Sequence, residues 1–257
     1  MIRAILFDLD ETLILDEPVV RRAFLLTAQS VTYNRNAAEA LALAAERHAK
    51  AYWQKLTVPA LEYANRIGHS AFEGLWADYD PNISTEVLLE AAMRTFRVLV
   101  WEDALHECNL DGDATELAAR WQILRARYPL YPDADDLLVA LHGRYKLGIV
   151  TNGVAGLQRK KWHGCGLETW FEAVAISGEV GIGKPERGIF SWVAQQLEVE
   201  LDECVMVGDN AERDVRGGNQ AGMQTVWVDR GYKPRGARAT FEVQQLLEIL
   251  PWLESSA

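Results

Sequence analysis

Two aspartates near the start of the chain stand where a carboxylate could do chemistry. Asp8 and Asp10 follow residues 2–7, an apolar run whose β-branched and aromatic side chains predict a buried strand. In open α/β sheets, ligands bind at the carboxyl ends of the strands. Carboxylates at such a place can bind a metal ion or act as a nucleophile, although turns and helix caps use the same residue type.

Later apolar runs also end in polar side chains. The polar residues that follow them are Thr151, Asn152, Lys184, Asp209 and Asp214. If these runs form parallel strands, all of these side chains lie at the same edge of the sheet as Asp8. Clustered carboxylates raise one another's pKa unless a cation is present, and Mg²⁺ prefers carboxylate oxygens. The sequence therefore predicts a Mg²⁺ site at this edge, with the Lys184 ammonium beside it.

The predicted cluster suits phosphoryl transfer. A carboxylate is a competent covalent nucleophile toward phosphorus. Phosphoryl transfer also needs charge neutralisation, which Mg²⁺ and Lys184 can supply. It further needs positioning, which the Thr151 hydroxyl and the backbone N–H groups at the start of the next helix can supply.

The composition limits the classes of partner. The chain has 257 residues, a formal net charge of −11 and a pI of about 5.0. Nucleic acid polymers and anionic membranes bind basic patches, so neither is an expected partner. No apolar run approaches the ~18 residues of a membrane span, and residues 1–12 do not resemble a signal peptide. We expect a soluble cytoplasmic protein that acts on a small phosphorylated metabolite, either as a monomer or as a homodimer.

Strand and helix patterns alternate from about residue 130 onward. The apolar runs predict strands at residues 2–7, 145–150, 173–176, 204–207 and 225–228, and the helical patterns between the later strands include one over residues 212–221. Nearly continuous apolar strands are typical of a parallel sheet that is covered on both faces. The predicted fold class is therefore α/β, with a doubly wound, Rossmann-like parallel sheet.

Residues 17–128 differ from the rest because they contain helical patterns and no convincing strand. Capping signals at Asn36 and Asp113 mark the starts of two of these helices. The simplest organisation is an all-helical domain, residues 17–128, inserted after the first strand of a catalytic core. That core would consist of residues 1–16 and 129–257.

The polar strand ends together resemble the motifs of the haloacid dehalogenase superfamily, and specifically those of its phosphatases. The matching residues are Asp8-Leu9-Asp10-Glu11-Thr12 for D-x-D-x-T, Thr151 for a strand-end hydroxyl, Lys184 for a lysine in Gly-Lys-Pro, and Gly208-Asp209 with Asp214 for G-D-x-x-x-x-D. The resemblance covers almost the whole chain, because the helical insert lies where this family carries its type 1 cap. One departure is Glu11, where many members have glycine.

The resemblance implies how the reaction would run. Asp8 would be the nucleophile and would form an aspartyl-phosphate. Asp10 would protonate the leaving oxygen and would then activate the hydrolytic water. Mg²⁺ would be held by Asp8, by the backbone carbonyl of Asp10 and by Asp209.

The resemblance also implies which groups bind the phosphate. Thr151, the backbone N–H of Asn152 and Lys184 would contact the transferred group. Asp214 would orient Lys184 or a metal-bound water. The sequence around these motifs is most similar to the capped branch that contains pyrimidine nucleotidases and N-acylneuraminate phosphatases, which implies a substrate of the nucleotide or sugar phosphate type.

Three other functions are compatible with parts of the pattern. L-2-Haloacid dehalogenation occurs on the same fold without a metal and without a second aspartate, so Asp10 argues against it. A non-catalytic protein that binds a phosphorylated ligand predicts lost catalytic residues, and none is missing. Residues 178–184 also match the G-x-x-x-x-G-K of a nucleotide-binding P-loop, but Pro185 stands where that motif needs a hydroxyl to bind Mg²⁺.

Candidate substrate contacts in the helical insert are Trp53, Arg66, His69 and Trp76.

Overall fold

The structure is a computed structural model that describes residues 1–56 and 60–255. The chain forms two compact units. One unit combines Met1–Asp16 with Tyr128–Ala257, and the other is Glu17–Arg127. Within the described ranges, no helix combines the length and the hydropathy that a bilayer crossing requires.

The unit Glu17–Arg127 is helical and contains no strand in the residues that the structure describes. Its helices are α1 (Glu17–Ala28), α2 (Arg35–Trp53), α3 (Ala60–Ile67), α4 (Ala71–Gly74), α5 (Ser84–Cys108) and α6 (Ala114–Arg125). The Phe24 ring of α1 lies 5.8 Å from the Trp101 ring of α5 and 5.1 Å from the Trp121 ring of α6. All three side chains are buried, so an aromatic cluster holds these helices together through apolar burial.

The predicted helix caps in this unit are confirmed at α6 and wrong at α2. The Asp113 carboxylate accepts hydrogen bonds from two backbone N–H groups of the first turn of α6, at 2.8 and 3.1 Å. The cap of α2 is Asn34, whose side chain accepts a hydrogen bond from the Ala37 backbone N–H at 3.1 Å. Asn36 lies inside the first turn instead. A cap must precede the first helical residue, because only there does its side chain reach the unpaired N–H groups.

The other unit is built on a sheet of six described strands in which every neighbouring pair is parallel. The strands are β1 (Ala4–Phe7), β2 (Lys146–Thr151), β3 (Ala173–Ile176), β4 (Cys204–Gly208), β5 (Gln224–Val228) and β6 (Phe241–Val243). Their order across the sheet is β3-β2-β1-β4-β5-β6, so β1 is central. The predicted α/β fold class is therefore confirmed. Only β6 is absent from the strands predicted from sequence, because three residues are too few to show a periodic pattern.

Helices cover both faces of this sheet. They are α7 (Ala134–Leu141), α8 (Ala155–Gly164), α9 (Ser177–Val180), α10 (Arg187–Gln196), α11 (Gly217–Ala221) and α12 (Ile249–Ser255), with a π-helical turn at Ala211–Arg216 before α11. Alternate residues of β1 face opposite sides. Ile5 and Phe7 belong to the buried cluster that includes α7, α8 and α12, whereas Ala4 and Leu6 belong to the cluster that includes α10. This burial on both faces explains why β1 is a continuous apolar run.

Candidate active site

The central strands of the sheet end beside one another and carry two of the predicted carboxylates. Phe7, at the end of β1, is paired with Ile149 of β2 and with Val207 of β4. Asp8 continues the line of β1, and its backbone N–H donates to the Val207 carbonyl at 2.9 Å. Asp209 follows the last residue of β4. Asp8 and Asp209 therefore lie at the same edge of the sheet.

Three carboxylates and one ammonium meet at this edge. One oxygen from each of Asp8, Asp209 and Asp214 lies within 4.8 Å of the others. The Nζ of Lys184 lies 2.6 Å from Oδ1 of Asp8 and 2.7 Å from Oδ1 of Asp214. All four side chains are buried. The structure thus brings together four of the residues that the sequence singled out.

The Lys184 ammonium stays charged in spite of its burial. Burial by itself would lower the pKa of Lys184, but the charges of Asp214 and Asp8 outweigh it and raise that pKa above its ordinary value. The loop that presents the lysine is fixed by the Asn152 side chain. That amide accepts a hydrogen bond from the Lys184 backbone N–H at 2.8 Å and donates one to the Lys184 carbonyl at 2.9 Å. Asn152 and the buried Thr151 at the end of β2 are therefore held beside the lysine loop.

Asp209 is the least compensated of the three clustered carboxylates. Burial, and then the charge of Asp8, raises the pKa of Asp209 well above its usual range. Its Oδ2 is buried and has no hydrogen-bond partner among the residues that the structure describes. Burial also raises the pKa of Asp214, although Lys184 opposes that shift. These features fit a divalent cation such as Mg²⁺, which would neutralise the excess negative charge and bind the unpartnered oxygen.

An Asp209→Asn variant tests this fit without a measurement of activity. In EDTA, we expect the variant to be at least as stable as the wild type, because the amide removes the cost of burying an unpaired carboxylate. Added Mg²⁺ should raise the Tm of the wild type and leave the Tm of the variant nearly unchanged. Thermal unfolding followed by circular dichroism measures both, with Asp202→Asn, at an exposed position before β4, as the control. A variant that gains as much Tm from Mg²⁺ as the wild type would show that Asp209 is not a ligand.

The Asp10 carboxylate does not belong to the Asp8–Asp209–Asp214 group and pairs with a different lysine. Both of its oxygens lie 2.8 Å from Nζ of Lys161, a buried side chain of α8. The Gln158 amide, also on α8, donates to Oδ2 of Asp10 at 3.3 Å. Neither Lys161 nor Gln158 is among the residues predicted from sequence. Their i,i+3 spacing places both on one face of α8, but this spacing alone does not distinguish the buried Lys161 from the exposed Lys160.

Glu11 occupies a backbone conformation that favours glycine. Its φ of 62° lies in the left-handed region, which costs a non-glycine residue ~1–2 kcal/mol. The buried carboxylate accepts hydrogen bonds from the Asp16 backbone N–H at 2.7 Å and from the Tyr131 hydroxyl at 2.6 Å. Each hydrogen bond to a charged group contributes ~1.5–3 kcal/mol, which offsets the conformational cost. The side chain that replaces glycine here anchors the two segments that border the helical unit in sequence.

The candidate substrate contacts in the helical unit differ in exposure. His69 and Trp76 are buried, and Nε2 of His69 lies 2.9 Å from the Tyr79 hydroxyl. Trp53 is half-buried, and its ring centroid lies 5.5 Å from that of His69. Arg66 is exposed. His69 and Trp76 therefore pack within the helical unit, and Arg66 is the most accessible of the four.

A protein-family model matches most of this chain. The model describes haloacid dehalogenase-like hydrolases, and the match extends over residues 2–222. That range contains every residue of the candidate site and the whole of the helical unit.

Characterised relatives match at the level of sequence. The chain is 40% identical over 242 residues to a phosphoserine phosphatase of Thermus thermophilus, and the match covers 93% of each protein. It is 33% identical over 178 residues to the pyrimidine 5'-nucleotidase YjjG of Escherichia coli, and this match covers 68% of the chain and 76% of the relative. The predicted similarity to pyrimidine nucleotidases is confirmed, and the phosphoserine phosphatase is a further relative, named for a different substrate.

A solved structure shares the fold. The hydrolase YfnB of Bacillus subtilis, whose crystal structure is bound to magnesium, superposes with a TM-score of 0.66 at 21% identity. The superposition covers 98% of this chain and 99% of that protein. At this identity the likeness concerns the fold alone.

Proposed function

This chain belongs to the haloacid dehalogenase-like hydrolases, and on that premise we propose that it hydrolyses a small phosphomonoester in a Mg²⁺-dependent reaction through an aspartyl-phosphate on Asp8. The similarity to a phosphatase and to a nucleotidase gives the class of reaction, the hydrolysis of phosphate monoesters. The observation that carries the mechanism is the ion-paired group of Asp8, Lys184 and Asp214 at the carboxyl edge of a parallel sheet.

In the first step, a carboxylate oxygen of Asp8 attacks the phosphorus atom of the substrate. A bond forms between that oxygen and phosphorus, the ester bond to phosphorus breaks, and the leaving oxygen takes a proton from the carboxyl group of Asp10. Lys184 neutralises charge on the phosphoryl oxygens. Thr151 and the backbone N–H of Asn152 hold the phosphoryl group in place for the attack.

In the second step, Asp10 is a carboxylate and accepts a proton from a water molecule that attacks phosphorus. The bond between phosphorus and the Asp8 oxygen breaks, so that inorganic phosphate leaves and the Asp8 carboxylate is restored. Asp214 acts through Lys184, because its carboxylate holds the lysine ammonium at 2.7 Å.

The residues at this edge fit a Mg²⁺ ion. We propose the Asp8 and Asp209 carboxylates and the Asp10 backbone carbonyl as its protein ligands. Bound there, the ion supplies further charge neutralisation for the phosphoryl group. Two observations support this assignment, namely the clustering of the Asp8, Asp209 and Asp214 carboxylates and the buried Oδ2 of Asp209, which has no hydrogen-bond partner among the described residues.

We propose that residues 17–128 act as a type 1 cap. In this role the helical domain recognises the leaving group and excludes water from the reaction. The division of the chain supports the proposal, because the unit Glu17–Arg127 is compact and lies in sequence between β1 and β2.

Phosphoserine is the first substrate to test. The similarity to the Thermus phosphoserine phosphatase covers 93% of this chain and therefore includes most of the proposed cap, which would recognise the leaving group. The match to the pyrimidine nucleotidase covers only 68% of the chain. Nucleotides and sugar phosphates remain in the substrate set, because the residues that bind the transferred phosphate are the same for every monoester.

Metal removal tests the proposed function directly. Protein treated with EDTA should lose at least ~10²-fold of its phosphatase activity, because the buried carboxylates then repel the phosphate, and added Mg²⁺ should restore it. The measurement is phosphate release from p-nitrophenyl phosphate, phosphoserine, pyrimidine nucleoside monophosphates and sugar phosphates. Halide release from a 2-haloacid that EDTA does not affect would indicate dehalogenation instead. No hydrolysis of any ester would indicate a binding protein.

A further inference from the structure

Lys161 is a fully buried cation that faces Asp10. Its side chain is 0% exposed, and its Nζ lies 2.8 Å from both carboxylate oxygens of Asp10. The Asp10 side chain is 24% exposed, so the pair is closed to water on the lysine side and open on the other. A buried ammonium is costly unless it is paired and hydrogen-bonded. The ion pair with Asp10 therefore offsets part of the cost of burying Lys161.

Gln158 contacts the same carboxylate and links it to the loop after β2. Its Nε2 lies 3.3 Å from Oδ2 of Asp10 and 2.9 Å from the Asn152 carbonyl oxygen. A Cβ atom on Gly153 would lie 2.6 Å from this Nε2, so the loop backbone packs closely on the amide. Residues three apart lie on one face of a helix, and α8 therefore presents Gln158 and Lys161 together to Asp10.

A second carboxylate lies near the lysine. Oδ1 of Asp16 is 3.7 Å from Nζ of Lys161, and the Asp16 backbone is held by the hydrogen bond from its N–H to Glu11. The ammonium lies near both carboxylates and offsets the repulsion between Asp10 and Asp16. Lys161 thus both attracts the Asp10 carboxylate and shields it from its neighbour.

We propose that Lys161, assisted by Gln158, is a positioning residue that fixes the Asp10 carboxylate for proton transfer. This inference rests on the proposed function, in which Asp10 is the acid and then the base. Lys161 acts through Asp10, because restricting the rotamers of a catalytic side chain places its oxygens at the leaving group before the reaction begins. Because α8 begins three residues after Asn152 and its Gln158 contacts the Asn152 carbonyl, one helix contacts both the proposed phosphate-binding loop and the Asp10 oxygens.

A Lys161→Met variant tests the proposal, with Lys160→Met as the matched control at the adjacent, exposed position of α8. Methionine keeps most of the length of the side chain and removes its charge. The variant should fold, because the carboxylates left behind are 24% and 21% exposed and can be solvated. We would measure kcat/KM with Mg²⁺ for an alkyl phosphomonoester, whose leaving oxygen needs a proton, and for p-nitrophenyl phosphate, whose leaving group departs without one.

We expect kcat/KM of Lys161→Met to fall ~10²-fold for the alkyl ester and less than about fivefold for p-nitrophenyl phosphate, because general acid catalysis contributes ~10²–10⁴. The kcat/KM of Lys160→Met should equal that of the wild type for both substrates. In an Asp10→Asn background, Lys161→Met should add no further loss, because the residue that it positions is already gone. If Lys161 had only a structural role, kcat/KM would fall equally for both substrates, because a smaller fraction of the protein would be active. Equal losses, or losses that add in the double variant, would overturn the proposal.

Crystal structures of the variants test the inference without activity. In Lys161→Met, the Asp10 carboxylate should be displaced or divided between rotamers, whereas Lys160→Met should leave it in place. An unmoved Asp10 would overturn the proposal even if the wild type is an active phosphatase. A displaced Asp10 in a protein that hydrolyses no phosphomonoester would support the positioning and overturn the proposed function instead. If Lys161→Met does not fold, Gln158→Leu is the alternative variant, because it keeps the ion pair between Lys161 and Asp10. Its kcat/KM should fall about tenfold for the alkyl ester and change little for p-nitrophenyl phosphate.

Discussion

An Asp8→Asn variant is expected to lose at least ~10⁴-fold in kcat with Mg²⁺ while it remains folded, since removing a catalytic nucleophile can cost ~10⁶. The amide cannot form the aspartyl-phosphate that the proposed reaction requires. Folding should be preserved, because Lys184 keeps Asp214 as an ion-pair partner at 2.7 Å. Phosphate release measures the loss of turnover, and thermal unfolding measures the stability of the variant.

Asp202→Asn, which removes an exposed carboxylate near β4, is the control for this variant. Rapid acid quenching during turnover should yield a phosphorylated peptide that contains Asp8 from the wild type and none from Asp8→Asn. Substantial turnover by Asp8→Asn, or phosphate on a different residue, would show that Asp8 is not the nucleophile.

A Lys184→Met variant is expected to lose both turnover and stability. Loss of a preorganised group that stabilises developing charge should reduce kcat by ~10²–10³. The free energy of unfolding should fall by ~3–5 kcal/mol, because breaking a buried ion pair leaves uncompensated charges. In this variant the buried carboxylates of Asp8 and Asp214 lose their ion-pair partner, and the carboxylate of Asp209 lies next to them.

The effect of Mg²⁺ separates the electrostatic cause from a simple packing defect at Lys184. In urea unfolding, the stability lost by Lys184→Met should be smaller with Mg²⁺ than with EDTA, because a bound cation offsets part of the missing charge. Lys160→Met serves as the control, since that lysine is exposed. A Lys184→Met protein as stable as the wild type in EDTA would contradict the importance of the ion pair.

The residues at the strand ends were predictable because two simple signals coincide there. Apolar runs of strand length stop abruptly at polar side chains, and parallel strands bring their carboxyl ends to one edge. Asp8 and Asp209, which directly follow β1 and β4, are therefore found together, and Lys184 and Asp214 join them from the segments that follow β3 and β4.

Lys161 could not be predicted in this way. A lysine on an amphipathic helix ordinarily extends into solvent, and the local sequence around Lys161 does not distinguish it from the exposed Lys160. Only the packing of α8 in the folded unit turns one of these two neighbours toward Asp10. The link between the Asn152 amide and the Lys184 backbone is likewise a contact between distant segments, which no sequence period records.

The local geometry around Asp214 also departs from the sequence pattern. The sequence predicts one helix over residues 212–221, whereas the structure has the π-helical turn Ala211–Arg216 followed by α11. A π-helical turn changes the hydrogen-bonding pattern by one residue, which a short apolar pattern does not resolve. Asp214 lies in this turn and from there reaches both Lys184 and the Asn210 backbone N–H, the latter at 2.9 Å.

Because β1 is a central strand, its pairing partners β2 and β4 are synthesised long after it. At ~5–20 residues per second, roughly 10–40 s pass while the ~200 residues from Asp8 to Asp209 are synthesised. Throughout that interval β1 is an apolar segment that lacks β4, one of its two neighbours, whereas α1–α6 are contiguous in the chain and can pack as they emerge. The nascent chain thus carries an unpaired strand edge, which is a template for aggregation, until the second half of the sheet is made. Asp8 is synthesised before the other residues of the cluster, and its surroundings are complete only when Asp209 and Asp214 have been made.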